Sequence, residues 1–140
     1  MKLRVISVGK FSLKPLESLC ADYTQRINRY VKIDWKKVKS IDEVSRNLTP
    51  DDYTILLDER GEQWSSRELA AWIEKQQLHA LPQITFLAGP AEGWPEVLRK
   101  KANRVLSLSR MTLQHEQALL VLFEQIYRAC TILKGEPYHK

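Results

Sequence analysis

The sequence predicts a single α/β domain whose mainly parallel sheet is flanked by helices on both faces. Three observations favour this fold: five short apolar runs typical of strands, intervening segments whose apolar residues recur at helical spacing, and regular alternation between the two. The chain of 140 residues is long enough to bury one core. Because it contains no repeat, low-complexity tract or linker, we expect residues 1–140 to form one domain.

Five segments have the length and composition of strands. They are Leu3–Val8, Val31–Trp35, Tyr53–Leu57, Ile84–Leu87 and Val105–Leu108. The second alternates apolar residues with Lys32, Asp34 and Lys36, which is the pattern of a half-exposed strand. The third is a short apolar run that leads into the polar sequence Asp58–Gly61.

Helix boundaries are marked by prolines, a capping box and a glycine. Helices are expected to begin near Pro15, at Ile41, after the capping box Ser65–Glu68, near Pro95 and at His115. The last helix, His115–Leu133, is the longest. Gly135 is suited to the left-handed position that ends a helix, and Pro137 prevents its continuation.

This last helix carries apolar residues on two faces. One stripe contains Leu119, Leu122, Ile126, Ala129 and Leu133, and the other contains Leu120, Phe123, Tyr127 and Cys130. A helix on the outside of a small sheet is normally polar on one side, so this helix is either central or part of an oligomer interface. Since the domain is small, we favour a homodimer.

Charge is unevenly distributed along the chain, whose net charge is +5. Residues 1–39 hold ten Lys and Arg against three acids, and residues 94–140 hold eight against four. Residues 40–93 reverse this balance, with four basic and ten acidic residues. Two basic ends around an acidic middle favour one face for a polyanion, although an ordinary solvated surface also explains the pattern.

Several common sites are unsupported by the sequence. No glycine precedes Gly9–Lys10 at the spacing of a phosphate-binding loop, and no Gly-x-Gly-x-x-Gly follows the first strand. His79, His115 and His139 are too scattered for a metal-ligand motif, so we expect no metal.

The sequence favours a cytoplasmic protein. It has no apolar run long enough for a membrane span, and its first residues lack the features of a signal peptide, so no membrane partner is expected. Cys20 and Cys130 lie in apolar helical patterns without CxxC spacing, which indicates buried free thiols in a reducing compartment.

Two late segments have the composition of a ligand site. The glycines of Leu87–Gly93 follow a strand and let backbone amides approach a ligand closely, although an ordinary tight turn has the same composition. Downstream, Leu106–His115 is a strand followed by a polar turn, and Tyr138–Lys140 ends the chain with an aromatic, a titratable and a cationic side chain.

Five motifs in order resemble the RlmH (YbeA-like) family of SPOUT-class methyltransferases. They are Leu56–Asp58, Leu87–Gly93, Leu106–His115, Glu124–Ala129 and Gly135–Lys140. The resemblance covers essentially the whole chain. It implies an α/β fold with a C-terminal trefoil knot that binds S-adenosylmethionine. It also implies a homodimer that methylates a ring nitrogen of pseudouridine in bacterial 23S ribosomal RNA, with the assembled ribosome as substrate.

The resemblance assigns roles to individual residues. The cofactor-binding set is Leu57, Ala88, Gly89, Leu108, Ser109, Arg110, Met111, Thr112 and Leu113. His115, Tyr138 and His139 are the catalytic candidates, and Arg128 and Lys140 are the candidates for RNA contact. Two structural explanations stay open: His115 as a residue that caps the last helix, and Tyr138 with His139 as a packed tail.

The chain departs from the family pattern at three positions. Ala88 stands where relatives usually have a second glycine, Gln114 where many have proline, and Leu119 where an arginine is common. Two alternative functions therefore remain: a knotted RNA-binding protein without turnover, and a methyltransferase that acts on another RNA.

Overall fold

The computed structural model describes residues 1–140 and contains one sheet of five parallel strands. The strands are β1 (Lys2–Val8), β2 (Lys32–Val38), β3 (Asp52–Gln63), β4 (Gln83–Ala88) and β5 (Arg104–Ser107). The helices are α1 (Lys14–Ile27), α2 (Ile41–Asn47), α3 (Ser66–Leu78), α4 (Glu96–Lys101) and α5 (His115–Lys134). The strand order is β2-β1-β4-β3-β5. The predicted α/β class is confirmed, and the sheet is entirely parallel.

Helices cover both faces of the sheet. Successive side chains of a strand point to opposite faces, so Leu3 and Ile6 of β1 belong to two different apolar clusters. Leu3 packs in the larger cluster with Phe123 of α5, on the face that also carries α1. Ile6 packs in the smaller cluster with Val44 of α2, on the face that also carries α4. Burial on both faces explains why the central strands read as nearly continuous apolar runs.

The predicted helix signals act as expected. The Ser65 hydroxyl accepts a hydrogen bond from the Glu68 amide at 3.1 Å, and the Glu68 carboxylate accepts one from the Ser65 amide at 3.4 Å. This capping box begins α3. Gly135 ends α5 in the left-handed conformation, with φ of 72°.

Strand β3 is longer than the sequence predicts. The expected strand ended at Leu57, whereas the observed strand continues to Gln63. Its pairing with β5 is interrupted between Leu57 and Glu62, and the intervening residues 58–61 leave the regular register. The polar composition of this stretch concealed the continuation, because pairing with β5 at Glu62 and Gln63 is what extends the strand. Only glycine fits at position 61, because a Cβ atom there would lie 2.6 Å from the Val105 backbone.

Helix α5 lies in the middle of its layer, between α1 and α3. Both of its apolar stripes are therefore covered within one chain: Phe123 packs in the cluster shared with α1, and Ala129 packs with residues of α3. The central position accounts for the two stripes, so the stripes themselves give no reason to expect a dimer. Leu119 is buried in the larger cluster, 2% exposed, where an arginine would be costly to desolvate.

All five strands end at the same edge of the sheet because they are parallel. In open α/β sheets this carboxyl edge is where ligands bind. The glycine segment follows β4 here, and the polar turn that leads to α5 follows β5. Cys20 and Cys130 are buried free thiols, as predicted. None of the helices combines the length and apolarity that a membrane span requires.

Candidate active site

A cavity of about 690 Å³ opens at the carboxyl edge of the sheet. Three segments form its walls: Leu57–Arg60 after the first part of β3, Ala88–Trp94 after β4, and residues 108–115 between β5 and α5. This volume lies within the usual range of small-molecule sites, roughly 300–1,000 Å³. The lining combines apolar side chains with exposed backbone, which suits a ligand that has both a flat apolar part and polar edges.

The cavity brings together most of the residues that were predicted to bind a cofactor. Those that line it are Leu57, Ala88, Gly89, Leu108, Ser109, Met111, Thr112 and Leu113. Arg110 is exposed and does not belong to the lining. Met111 lines the cavity and is 78% exposed.

Sequence reasoning missed several residues of the wall. They are Asp58, Glu59, Arg60, Pro90, Ala91, Glu92, Gly93, Trp94, Gln114 and Ala118. Asp58, Glu59 and Arg60 directly follow the buried run of β3. Because this strand is parallel to its neighbours, the sequence could have placed these residues at the carboxyl edge of the sheet. The remainder flank predicted residues on the same loops, and their orientation toward the cavity is decided only by the fold.

Hydrogen bonds fix the turn after β5. The Ser107 hydroxyl donates to the Ser109 carbonyl at 2.9 Å, and the Ser109 hydroxyl accepts from the Met111 amide at 2.9 Å. The Thr112 hydroxyl donates to the Glu59 carboxylate across the cavity mouth. Two walls from distant parts of the sequence are thereby joined, and the turn is held in a defined shape.

Asp58 is a negative charge at the cavity wall. Partial burial would by itself raise its pKa, but hydrogen bonds from Arg60 and the nearby charge of Arg99 outweigh that effect and lower the pKa below its ordinary value. The Asp58 carboxylate accepts from the Arg60 amide at 2.9 Å and lies 3.2 Å from Arg99 Nε. It therefore stays ionised at neutral pH and can accept hydrogen bonds from ligand donors.

Gly89 permits a close approach between the glycine segment and an indole ring. A Cβ atom at this position would lie 2.4 Å from Nε1 of Trp94, whose side chain is buried beneath the loop. The Trp94 Nε1 atom faces this backbone and has no hydrogen-bond acceptor. Glycine is therefore required here by packing, which the turn composition alone did not reveal.

A buried carboxylate connects the start of α5 to the start of α1. Glu116 is 1% exposed and accepts hydrogen bonds from the Ser12 amide at 2.8 Å, the Ser12 hydroxyl at 2.8 Å and the Leu13 amide at 3.0 Å. The Gln114 amide donates to the same carboxylate at 2.9 Å. Backbone hydrogen bonding from Leu13 is the largest cause that lowers the Glu116 pKa to about 2. Leu13 makes no side-chain cap for α1, so Glu116 satisfies that helix end from another element.

Gln114, which stands where many relatives have proline, caps α5. Its side-chain oxygen accepts from the Gln117 amide at 3.0 Å. His115 is therefore not the capping residue, and its imidazole is available for another role. The imidazole borders the cavity, and its Nε2 atom lies 3.9 Å from where a Cβ on Gly9 would be. His115 thus extends from the cavity toward the end of β1.

The tail residues pack on the other half of α5. The Tyr138 hydroxyl donates to the Glu124 carboxylate at 3.4 Å, and the Arg128 guanidinium lies 4.8 Å from the Tyr138 ring centroid. Arg128 donates to His139 Nδ1 at 3.0 Å, and Lys140 is exposed. A guanidinium can only donate, so in this geometry Nδ1 accepts and the proton of a neutral His139 is on Nε2.

These contacts determine the hydrogen bonding of the tail residues. Burial, followed by hydrogen bonding with Tyr23 and the charge of Glu124, raises the Tyr138 pKa to about 12. The Tyr138 phenol therefore stays protonated at neutral pH and donates to Glu124, while the Nδ1 atom of His139 is engaged by Arg128. Arg128, predicted to contact RNA, holds the tail through Tyr138 and His139 and pairs with Glu124 at 3.2 Å.

The tail and the cavity do not meet within one chain. Arg128 lies roughly 20 Å from His115 along the helix axis, given the rise per residue of an α-helix. His115, Tyr138 and His139 are the predicted catalytic residues of a homodimer, and within one chain only His115 borders the cavity. A straight helix separates the two groups, so the tail can reach a cavity only if that cavity belongs to a second chain.

Comparison with known proteins identifies the class to which this fold and cavity belong. A family model described as "Predicted SPOUT methyltransferase" matches residues 1–139. The chain therefore belongs to the SPOUT methyltransferase family.

Full-length relatives confirm the resemblance to the RlmH family that the motifs indicated. Ribosomal RNA large subunit methyltransferase H of Koribacter versatilis is 38% identical over 143 residues, which span 99% of this chain and 98% of the relative. The proteins of the same name from Geobacter metallireducens and Christiangramia forsetii are 38% and 36% identical, with 99% of each chain covered.

Solved structures support the fold at much lower identity. A probable methylase family protein from Haemophilus influenzae matches with a TM-score of 0.62 at 12% identity, over 99% of this chain and 70% of that one. A putative methylase family protein from Neisseria gonorrhoeae matches with a TM-score of 0.57 at 12% identity, over 89% and 81%. At this identity the likeness concerns the fold alone.

Replacing Gly89 with alanine is expected to disturb the cavity through Trp94. The added methyl group would collide with the buried indole, so we expect a loss of about 1–3 kcal/mol in the free energy of unfolding, measured by urea denaturation. The double variant Gly89→Ala/Trp94→Leu removes the collision partner and should recover part of the loss. Equal stability of Gly89→Ala and the parent protein would contradict this account.

Glu116 is expected to make stability depend on acid pH. Its pKa is about 2 in the folded chain against an ordinary value of 4.5, so between these values the unfolded chain binds more protons. The stabilisation is complete above pH 4.5 and disappears as pH falls toward 2. The free energy of unfolding of Glu116→Gln, measured by urea denaturation, should be lower than that of the parent protein at pH 7. This difference should shrink as the pH is lowered.

The exposed Glu74→Gln in α3 serves as the control and should follow the parent protein throughout. If Glu116→Gln were less stable than the parent protein by the same amount at pH 7 and at pH 3, the charge of the carboxylate would not contribute to stability.

Proposed function

We propose that this chain is an S-adenosylmethionine-dependent methyltransferase that modifies a ring nitrogen of pseudouridine in 23S ribosomal RNA. The assembled ribosome is the proposed substrate, and the cytoplasm is therefore the proposed location. The main supporting observation is the 690 Å³ cavity, whose walls contain eight of the nine residues that the family resemblance assigned to the cofactor. The names of the full-length relatives support ribosomal RNA of the large subunit as the substrate class.

The cavity has the chemistry that the cofactor requires. Leu57, Leu108 and Leu113 provide apolar walls for an adenine ring, and the backbone around Gly89 provides polar groups for its edge. The ionised carboxylate of Asp58 suits ribose hydroxyls or a cationic group. We propose that these loops form the trefoil knot that the resemblance implies.

When bound, S-adenosylmethionine supplies a methyl group that is activated by a sulfonium. Transfer would join this methyl carbon to the ring nitrogen as the sulfur–carbon bond breaks, with the electron pair left on sulfur. The proton of the ring N–H must leave to a base. His115 is the proposed base because its imidazole borders the cavity, whereas the tail packs on the far half of α5.

A homodimer is part of the proposal, on grounds different from the apolar stripes. The tail carries Tyr138, His139 and Lys140 at the end of α5 that is remote from the cavity. In an antiparallel pair, the tail of one chain would lie beside the cavity of the other. Leu13 and Leu19 of the α1 region are 43% and 44% exposed, and they provide apolar surface for such an interface. Donors from the tail would then bind the carbonyl groups or phosphate of the target nucleotide.

The proposed activity is tested by mass mapping of methylated pseudouridine in 23S ribosomal RNA from cells with and without this gene. Purified protein should restore the modification on ribosomes from the deficient cells when S-adenosylmethionine is added. Calorimetry with S-adenosylmethionine separates the alternatives: absence of binding would contradict the enzyme function and favour an RNA-binding protein. Transfer to free transfer RNA but not to ribosomes would identify another substrate.

Deleting Tyr138–Lys140 is expected to abolish methyl transfer while cofactor affinity stays within a few-fold. The tail contacts α5 and not the cavity walls, so cofactor binding has no reason to change. Loss of positioned hydrogen-bonding groups should lower the rate roughly 10²–10⁴-fold, measured with ribosomes as substrate. Transfer by the truncated protein at the parent rate would show that the tail only packs.

Mixed dimers provide a sharper control. A truncated chain keeps an intact cavity, and a Gly89→Val chain keeps an intact tail but should lose cofactor binding. Each is expected to be inactive alone, whereas co-expression should restore activity because one of the two sites in a mixed dimer is complete. Absence of recovery despite demonstrated mixed dimers would contradict a site shared between chains.

A further inference from the structure

A second cavity adjoins the first. Its volume is about 430 Å³, and it lies at the carboxyl ends of β1 and β2. Its own lining comes from Gly9 after β1 and from Lys39–Asp42 after β2. It shares Pro90–Glu92 and His115 with the first cavity. The two spaces are therefore separated only by the glycine segment and one imidazole.

We propose that this second cavity receives the base of the target RNA nucleotide. This inference rests on the proposed methyltransferase function. An in-line displacement needs the accepting nitrogen and the methyl group in direct contact, so the base must occupy a space that opens onto the cofactor cavity. The second cavity meets this condition through the wall that it shares with the first. His115 borders both spaces, so its imidazole is placed to take a proton from a base in one while the cofactor occupies the other.

The polar groups of the cavity suit the edge of a uracil-type base. Such an edge alternates carbonyl acceptors with an N–H donor. Lys39 and Ser40 supply donors, and Asp42 and Glu92 supply acceptors. The mixture of one ammonium and two carboxylates argues against a site for a bare phosphate, which would be repelled by both acids. A base turned out of its stack is read in this way, by hydrogen bonds to its edge.

We expect the phosphates of the same RNA to bind outside this cavity, along the edge formed by strand β2. This strand is at the edge of the sheet, and Lys36 within it and Lys39 directly after it are both exposed. Neither forms a salt bridge within the chain, whereas Lys37 pairs with Glu17 at 2.8 Å. Lys36 lies within roughly 10 Å of Lys39 along the strand. Part of the basic excess of residues 1–39 is thus concentrated next to the proposed base pocket, where it would hold the backbone on either side of the base.

Two variants test the inference by different means. Ser40→Trp fills the cavity, and the Ser40 side chain makes no capping hydrogen bond whose loss would confuse the result. Lys39→Glu reverses an exposed charge at the rim without changing the core. The matched controls are Ser45→Trp, exposed on the same helix outside the cavity, and Lys75→Glu, exposed on α3.

The measurements are co-sedimentation with 70S ribosomes from cells that lack this gene, calorimetry with S-adenosylmethionine, and methyl transfer. Both test variants should weaken ribosome binding about tenfold or more, while cofactor affinity stays within about threefold and the controls match the parent protein. Retained cofactor binding also shows that the Ser40→Trp chain is folded.

The outcomes separate the inference from the proposed function. Test variants that bind ribosomes and transfer methyl groups like their controls would overturn the second cavity as a nucleotide site and leave the methyltransferase function intact. If the parent protein transfers no methyl group but the test variants still weaken ribosome binding selectively, the nucleotide site stands and the proposed activity fails. A parent protein that does not bind ribosomes would overturn both.

Discussion

The hydrogen bonds to the buried Glu116 carboxylate determine how the site is assembled. They join the first turn of α5 to the loop before α1, and both elements border the carboxyl edge of the sheet. A carboxylate that accepts four hydrogen bonds in a buried position is held in one orientation. His115 precedes it directly, so the position of the imidazole between the two cavities follows from this contact.

The length of helix α5 keeps the cavity at its first turn apart from the tail residues at its end. Its first residue borders the cavities, and its second half holds the tail through Glu124, Tyr127 and Arg128. Burial between α1 and α3 keeps the helix in place, so neither end can move toward the other. A rigid spacer of this kind makes a site composed of two chains the simplest geometry in which both sets act together.

The uneven charge along the chain places acidic and basic side chains at different parts of the carboxyl edge of the sheet. The acidic middle of the chain contributes Asp58 to the first cavity and Asp42 and Glu92 to the neighbouring cavity. The basic first segment contributes lysines to the edge strand β2. Both cavities thus contain carboxylates, Lys39 lies at the rim of the second, and Lys36 lies farther out on β2, which is the arrangement that the proposed binding of a base inside and phosphates outside requires.

The sequence by itself determined the features that depend on neighbouring residues. The capping box at Ser65, the end of α5 at Gly135 and the alternation of strands with helices are local signals, and the structure contains all three. The motif order also identified the family, and eight of the nine residues predicted to bind a cofactor line one cavity. Only the tertiary structure showed the continuation of β3, the central position of α5, the packing of Trp94 against Gly89 and the role of Glu116. Each of these depends on contacts between residues far apart in the chain, and periodicity carries no information about which distant elements meet.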